Sequence, residues 1–231
     1  MDNNLLQLKI QQRLNKLSSS DYENIECWQI VEAFNKVQLD WSRRNLRGNN
    51  SKKQGDEHSS FSIDDFQCLM KQMPLKGTNK ALYYETNNWP ADFLKFKRVS
   101  TQAKTSCCPE RSMTVYEGEE HNADILLGDD NTDPNFEWGE TFCTRIGNAI
   151  RIYTAGKFDV VNPTLTYYRN PKPISIDGCM DQNGNTTTDN QCEFKNDIAE
   201  VLVAGCVALL AGDYDNWVQA QRGTEDEHDN E

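Results

Sequence analysis

The stretch with the strongest chemical flavour is Asp129–Glu140, DDNTDPNFEWGE. Asp129, Asn131, Asp133, Asn135 and Glu140 fall at the ligand positions of a calcium-loop register, which supplies oxygen donors to a hard cation. The register also needs a glycine at its sharp turn. Pro134 stands there instead, and the flanks are not the two helices such a loop joins. Asp, Asn and Pro together also make an ordinary turn, and that plainer reading is preferred. The polar run Asp181-Gln182-Asn183-Gly184-Asn185 is read the same way. Three histidines, His58, His121 and His228, have no nucleophile at a recognisable spacing, and no GxSxG, HExxH or phosphate-loop pattern occurs. TAGK at 154–157 has the wrong spacing for a phosphate loop. No catalytic residue, cofactor or metal ligand is assigned, and an enzyme is not expected.

Eight cysteines are read as reduced thiols, with Cys27, Cys68 and Cys206 as buried packing residues. Cys107 and Cys108 are adjacent, so a bond between them is strained. Cys179 and Cys192 flank a polar loop and lie within reach of each other. No CxxC pair exists, which argues against structural zinc. Trp138, Tyr153, Tyr167 and Tyr168 on strand-like segments offer stacking surfaces for carbohydrate or bases. Strand aromatics more often anchor cores or subunit interfaces, and that reading is favoured.

These residues need elements to hold them. Ser20–Gly48 reads as one long amphipathic helix, roughly 40 Å at 1.5 Å per residue. Ser20 and Glu23 form a capping box, Ile25, Trp28, Val31, Phe34, Val37 and Trp41 form the apolar stripe, and Gly48 ends it. A shorter helix over 4–17, with Leu6, Ile10, Leu14 and Leu17 on one side, pairs with it in antiparallel. NNSKKQGDEHSS is a polar loop whose Lys52–Lys53 pair is solvated. Ser62 with Asp65 restarts a helix carrying Phe66, Leu69, Met70 and Met73, stopped by Pro74.

From there the period shortens. Leu82–Thr86, Leu94–Thr101, Met113–Glu117, Ile146–Thr154, Lys157–Val161 and Thr164–Arg169 read as strands, the last three as a β-meander or small barrel. Ala123–Leu127 fits either a helical turn or a strand. Phe194–Ala211 is helical, and its middle is apolar on every side. Such a helix must be covered either in the domain's centre or by a neighbouring subunit. Leu202, Leu209 and Trp217 are its packing anchors, as Trp28, Phe34 and Trp41 are those of the long helix. The expected fold is α+β, with a helical part over 1–78, a β-rich lobe over 79–192, a closing helix over 193–222 and an acidic tail over 223–231.

The 231 residues carry a net charge of −12. Residues 1–117 hold 17 Lys and Arg against 14 Asp and Glu, while residues 118–231 hold 7 against 22, so the halves carry +3 and −15. That polarity opposes non-specific DNA wrapping and fits a molecule whose two ends meet unlike surfaces. MDNNLLQLKIQQRL lacks a signal peptide's basic start, so secretion is not expected, and no apolar run is long enough to span a membrane.

RLNKLSSSDYENIECWQIVEAFNKVQLDW at 13–41, LYYET, FKRVS, CCPERSMTVY at 107–116, FEWGETFCTRIGN at 136–148 and FDVVNPTLTYYRNPKPI at 158–174 carry a resemblance over nearly the whole chain. The chain resembles the head-to-tail connector proteins (neck, ring or adaptor subunits) of crAss-like podoviruses, a group of tailed bacteriophages. The resemblance implies a structural virion protein that forms a ring of twelve copies below the portal protein, in contact with adjacent neck or tail rings. Viral DNA passes through such a channel during ejection without sequence-specific binding, and assembly takes place in the bacterial host cytoplasm. It brings no catalytic residue and no cofactor. Two other readings are a tail or fibre module that recognises host glycan through Tyr167, Tyr168 or Trp138, and a calcium-dependent enzyme using Asp129, Asp133 and Glu140.

Overall fold

The computed structural model of the chain describes residues 1–14, 25–47, 63–179 and 185–213. The Ser20–Glu23 cap, Leu17, the Gly48 stop, the 49–60 loop with Lys52, Lys53 and His58, Ser62, residues 181–184, Tyr214, Trp217 and the acidic tail with His228 lie outside the described residues. The fold is α+β, with four α-helices and one eight-stranded mixed sheet among the described residues. The chain forms two compact units, Met1–Leu69 with Asn170–Glu231, and Met70–Arg169. Residues 70–78 therefore belong with the sheet and 170–192 with the helices, the reverse of the boundaries read from sequence.

In the helical unit, α1 spans Asn3–Leu14, α2 Cys27–Arg47 and α4 Asn196–Asp213. The long helix is shorter than its periodicity suggests. It begins after Glu26, whose N–H donates to Gln29 Oε1 at 2.9 Å, one half of a capping box. Its 21 residues span about 32 Å. The buried stripe is Ile30, Ala33, Phe34, Val37 and Trp41, while Trp28 and Val31 are half-buried. The expected pairing of α1 with α2 gives way to a different centre, because both helices pack chiefly against α4.

Ile198, Ala199 and every residue from Val201 to Val207 are buried, so α4 is covered largely within its own unit. Leu202 is fully buried and Leu209 half-buried. Trp41 joins the layers, its ring 5.2 Å from both Phe66 and Phe194. Polar side chains tie the return strand-like segment to the helices. Asn35 exchanges two hydrogen bonds with the Ile174 backbone, and Gln38 Nε2 donates to Lys172 O. Asn3 Nδ2 faces Ser175 O, Asp189 Oδ1 and Asn190 O, beside the Ser175–Asn190 bridge. A disulfide joins Cys27 to Cys179 with Cα atoms 5.8 Å apart. This corrects two expectations: Cys27 is not a packing thiol, and the cysteines are not all reduced; Cys179 is bonded to Cys27 and Cys192 remains a free, buried thiol. Cys68 is exposed rather than buried, whereas Cys206 is buried as expected.

The sheet unit runs β1 (Met70–Pro74), β2 (Gly77–Asn79), β3 (Tyr83–Thr86), β4 (Phe93–Lys104), β5 (Arg111–Glu117), α3 (Ala123–Gly128), β6 (Glu140–Ile146), β7 (Ala149–Tyr153) and β8 (Asp159–Arg169), in spatial order β1-β8-β4-β5-β6-β7-β3-β2. The helix expected over Ser62–Met73 is a 3-10 turn, Ile63–Leu69, followed by β1, because Met70–Pro74 pairs with Thr164–Tyr168. Pro74 is tolerated because β1 is an edge strand. Ile146–Thr154 is not one strand. Gly147, with φ +54°, starts a tight turn between β6 and β7, a conformation glycine takes without strain.

Conversely, the two strands read at 157–161 and 164–169 are one, β8, carried through Asn162 (φ +50°) where its pairing with β4 shifts register. The sheet is therefore no simple meander. It curls until Asn79 in β2 reaches β8, where its side chain accepts from Val160 N at 3.0 Å and donates to Val160 O at 3.4 Å. Tyr84, Phe96, Val99, Met113, Cys143, Ile150, Ile152, Val160, Leu165 and Tyr167 fill the interior.

Candidate functional site

β5 and β6 are the sheet's parallel neighbours, Thr114 opposite Glu140 and Glu117 opposite Cys143. Parallel neighbours cannot be joined by a tight turn, so the chain must leave the sheet and return. The crossover holds a 3-10 turn, Glu120–Asn122, then α3, whose Leu126 and Leu127 rest near Ala123, Phe142 and Tyr153. Beneath it lies a cavity of about 520 Å³. Its apolar floor is Leu126 and Phe142, and its rim carries Tyr116, Glu117, Glu119, Asp133 and Glu140.

Each carboxylate has a local partner. Glu117 pairs with Arg145 at 2.8 Å, Glu119 with His121 at 3.2 Å, Asp133 with Lys157, and Glu140 accepts from the Tyr116 hydroxyl at 3.2 Å. That last bond holds the Tyr116 hydroxyl's proton and raises its pKa. Beside the cavity, Glu120 is fixed by Arg151 at 3.1 Å, by Tyr153 at 3.3 Å and by Thr144. Arg151 also reaches Glu85 at 3.0 Å and lies 4.8 Å from the Tyr83 ring. Glu85 is held below the ordinary carboxyl range by hydrogen bonds from Lys80 first and Arg151 second.

The calcium-register residues do not converge on a cation. Asp129 Oδ1 accepts from Asn131, Asp133 pairs with Lys157, and Asn135 Oδ1 caps Glu137 N at 2.8 Å and Trp138 N at 3.1 Å. Asn135 and Glu140 close the segment by two backbone hydrogen bonds, making it a turn. Among the described residues, no group of three or more His, Cys, Asp or Glu is placed to hold a metal ion. The proposed stacking aromatics divide sharply: Tyr153, Tyr167 and Tyr168 are buried, and Trp138 is 61% exposed. His121 stands at the cavity's edge through Glu119, with no nucleophile partner.

No protein-family model matches this chain, and no curated protein is similar to it. Among the described residues, no helix is long and apolar enough to cross a membrane. The site was overlooked in sequence although a signal exists. TVYEGEE places Glu117, Glu119 and Glu120 at the end of a strand, and only the crossover turns that local acidity into a lined cavity.

Proposed function

We propose that this chain is a structural subunit of a phage head-to-tail connector, one copy in a ring below the portal protein through which viral DNA leaves. The ring contacts adjacent neck or tail rings and lets viral DNA pass without sequence-specific binding. The observation that carries the reading is the sheet unit's surface, where an acid-rimmed, apolar-floored cavity lies with Tyr116 on its rim. A polar-rimmed recess of this kind suits head-to-tail contact between copies, and head-to-tail contacts close into rings when the rotation allows. Exposed Leu5 and Leu8, one turn apart on α1, and exposed Tyr116 and Trp138 on the sheet unit add apolar anchors of the type interfaces use. Excess carboxylate along a lumen would also let DNA slide, because it repels phosphate.

One earlier support falls away. α4 is covered within its own unit, so its apolar circumference does not call for a second copy. The glycan reading loses Tyr167 and Tyr168, whose rings are inaccessible. The calcium reading loses Asp133 to its lysine.

Negative-stain imaging and native mass measurement of the purified chain, alone and with portal protein, test the proposal. Closed rings that loosen as salt rises are expected, since exposed charge contacts weaken with screening. A monomer at high concentration under both conditions overturns it.

A further inference from the structure

The turn between β4 and β5, residues 105–110, carries Cys107 and Cys108 side by side and exposed. Their sulfurs are 2.9 Å apart, closer than two sulfurs in ordinary contact, and the Thr105 hydroxyl lies 3.6 Å from Cys107 Sγ. Nothing in the connector reading uses them. We propose that Cys107 and Cys108 form a thiol–disulfide exchange site for small organic disulfides, with Cys107 as the attacking thiol and Cys108 as the resolving one. The reaction balances in two displacements. The Cys107 thiolate attacks one sulfur of R–S–S–R, forming a mixed disulfide and expelling R–S⁻. The Cys108 thiolate then attacks Cys107 Sγ, forming the Cys107–Cys108 bond and expelling the second R–S⁻. The small disulfide gains two electrons, the dithiol loses them, and the two thiol protons pass to the released thiolates.

The order of attack follows from the surroundings. The Thr105 hydroxyl, 3.6 Å from Cys107 Sγ, can donate to a thiolate there and favours it. The thiolate is the nucleophile, so Cys107 goes first. A bond between adjacent residues is strained, and strained exposed disulfides are the readily reduced ones, so the site is reversible.

Cys68, also exposed but with no cysteine beside it in sequence, serves as an internal control, and Cys192 is buried. The full chain is treated with a dipyridyl disulfide, whose released thiopyridone is read by absorbance, and digests are weighed. In the unaltered chain the Cys107–Cys108 peptide should release two thiopyridones and end two hydrogens lighter with no adduct, while Cys68 keeps one pyridyl group. Cys108→Ser should trap the adduct on Cys107 at an unchanged first rate, and Cys107→Ser should slow the reaction of Cys108 several-fold. Stable adducts on both Cys107 and Cys108 in the unaltered chain, or equal rates in the two variants, overturn the proposal. Both substitutions lie in an exposed turn and leave the interior intact, and ring formation is read separately, so failure here leaves the connector reading standing.

Discussion

Tyr167 shows how a single side chain can serve both interior and surface. Its ring lies in the sheet interior, 5.9 Å from Phe93, while its hydroxyl donates to Asp92 Oδ1 at 2.7 Å. Asp92 also pairs with Lys71 at 3.0 Å. Burial alone pushes the Asp92 carboxyl upward, but the bonds from Tyr167 and Lys71 outweigh it and the net shift is down. A carboxyl lowered by folding adds stability above its unfolded pKa of about 3.9, and that stability drains as pH falls through the folded value. Tyr167→Phe should therefore cost about 1–2 kcal/mol at neutral pH, read as a lower urea midpoint, and the loss should shrink as pH drops below that range. A pH-independent difference would place the cost in packing instead. At the candidate site, sequence revealed acidity but not location. Glu117 and Glu140 are far apart in sequence, and only the parallel pairing of β5 with β6 brings both to one rim.

Period and pairing competed at the level of whole elements, and pairing won wherever the two disagreed. β3, β4 and β5 were readable because alternation and aromatic content act locally. Met70 and Met73 fit a helical step equally well, and only β8, far along the chain, turns them into a strand. Gly147 hides inside an alternating run, so the strand read at Ile146–Thr154 overlaps the turn and β7, while β6 goes unread until its pairing with β7 is known. The start of α2 was placed early because Ile25 keeps the helical period while lying, buried, outside the helix. Of the helical unit, the apolar residues were legible, and a central α4 was one of the two placements its apolar circumference allows; the contacts that choose it are long-range. Trp41→Ala, which removes a fully buried ring between Phe66 and Phe194, should lower stability by about 3–5 kcal/mol. Leu202→Ala on α4 should cost about 2–5 kcal/mol. Circular dichroism melts of both variants check these values. If α4 were peripheral instead, Leu202→Ala would be nearly silent.

The whole molecule carries a chemical tension in its helical unit. Under the connector reading proposed above, the chain is made in a reducing cytoplasm, where disulfides rarely persist, and ends on a particle surface that tolerates them. The bond between Cys27 and Cys179 spans 152 residues of sequence and therefore encloses the entire sheet unit. Closing so long a loop restricts the unfolded chain strongly, and removal of such a bond typically costs about 2–4 kcal/mol. Packing of α2 against α4 and the hydrogen bonds from Asn35 and Gln38 do not need it, so the unit should fold first as a dithiol and gain the bond later. The expected outcome is thiol-labelled Cys27 and Cys179 in chain drawn from lysed cells under acid quench, and unlabelled residues at both positions in released, air-exposed material. Reductant should then lower the urea midpoint of the oxidised chain and leave that of a Cys27→Ala, Cys179→Ala double variant unchanged. Identical midpoints for the oxidised chain with and without reductant would show that the bond adds nothing. The helical unit would then rest on packing and hydrogen bonds alone.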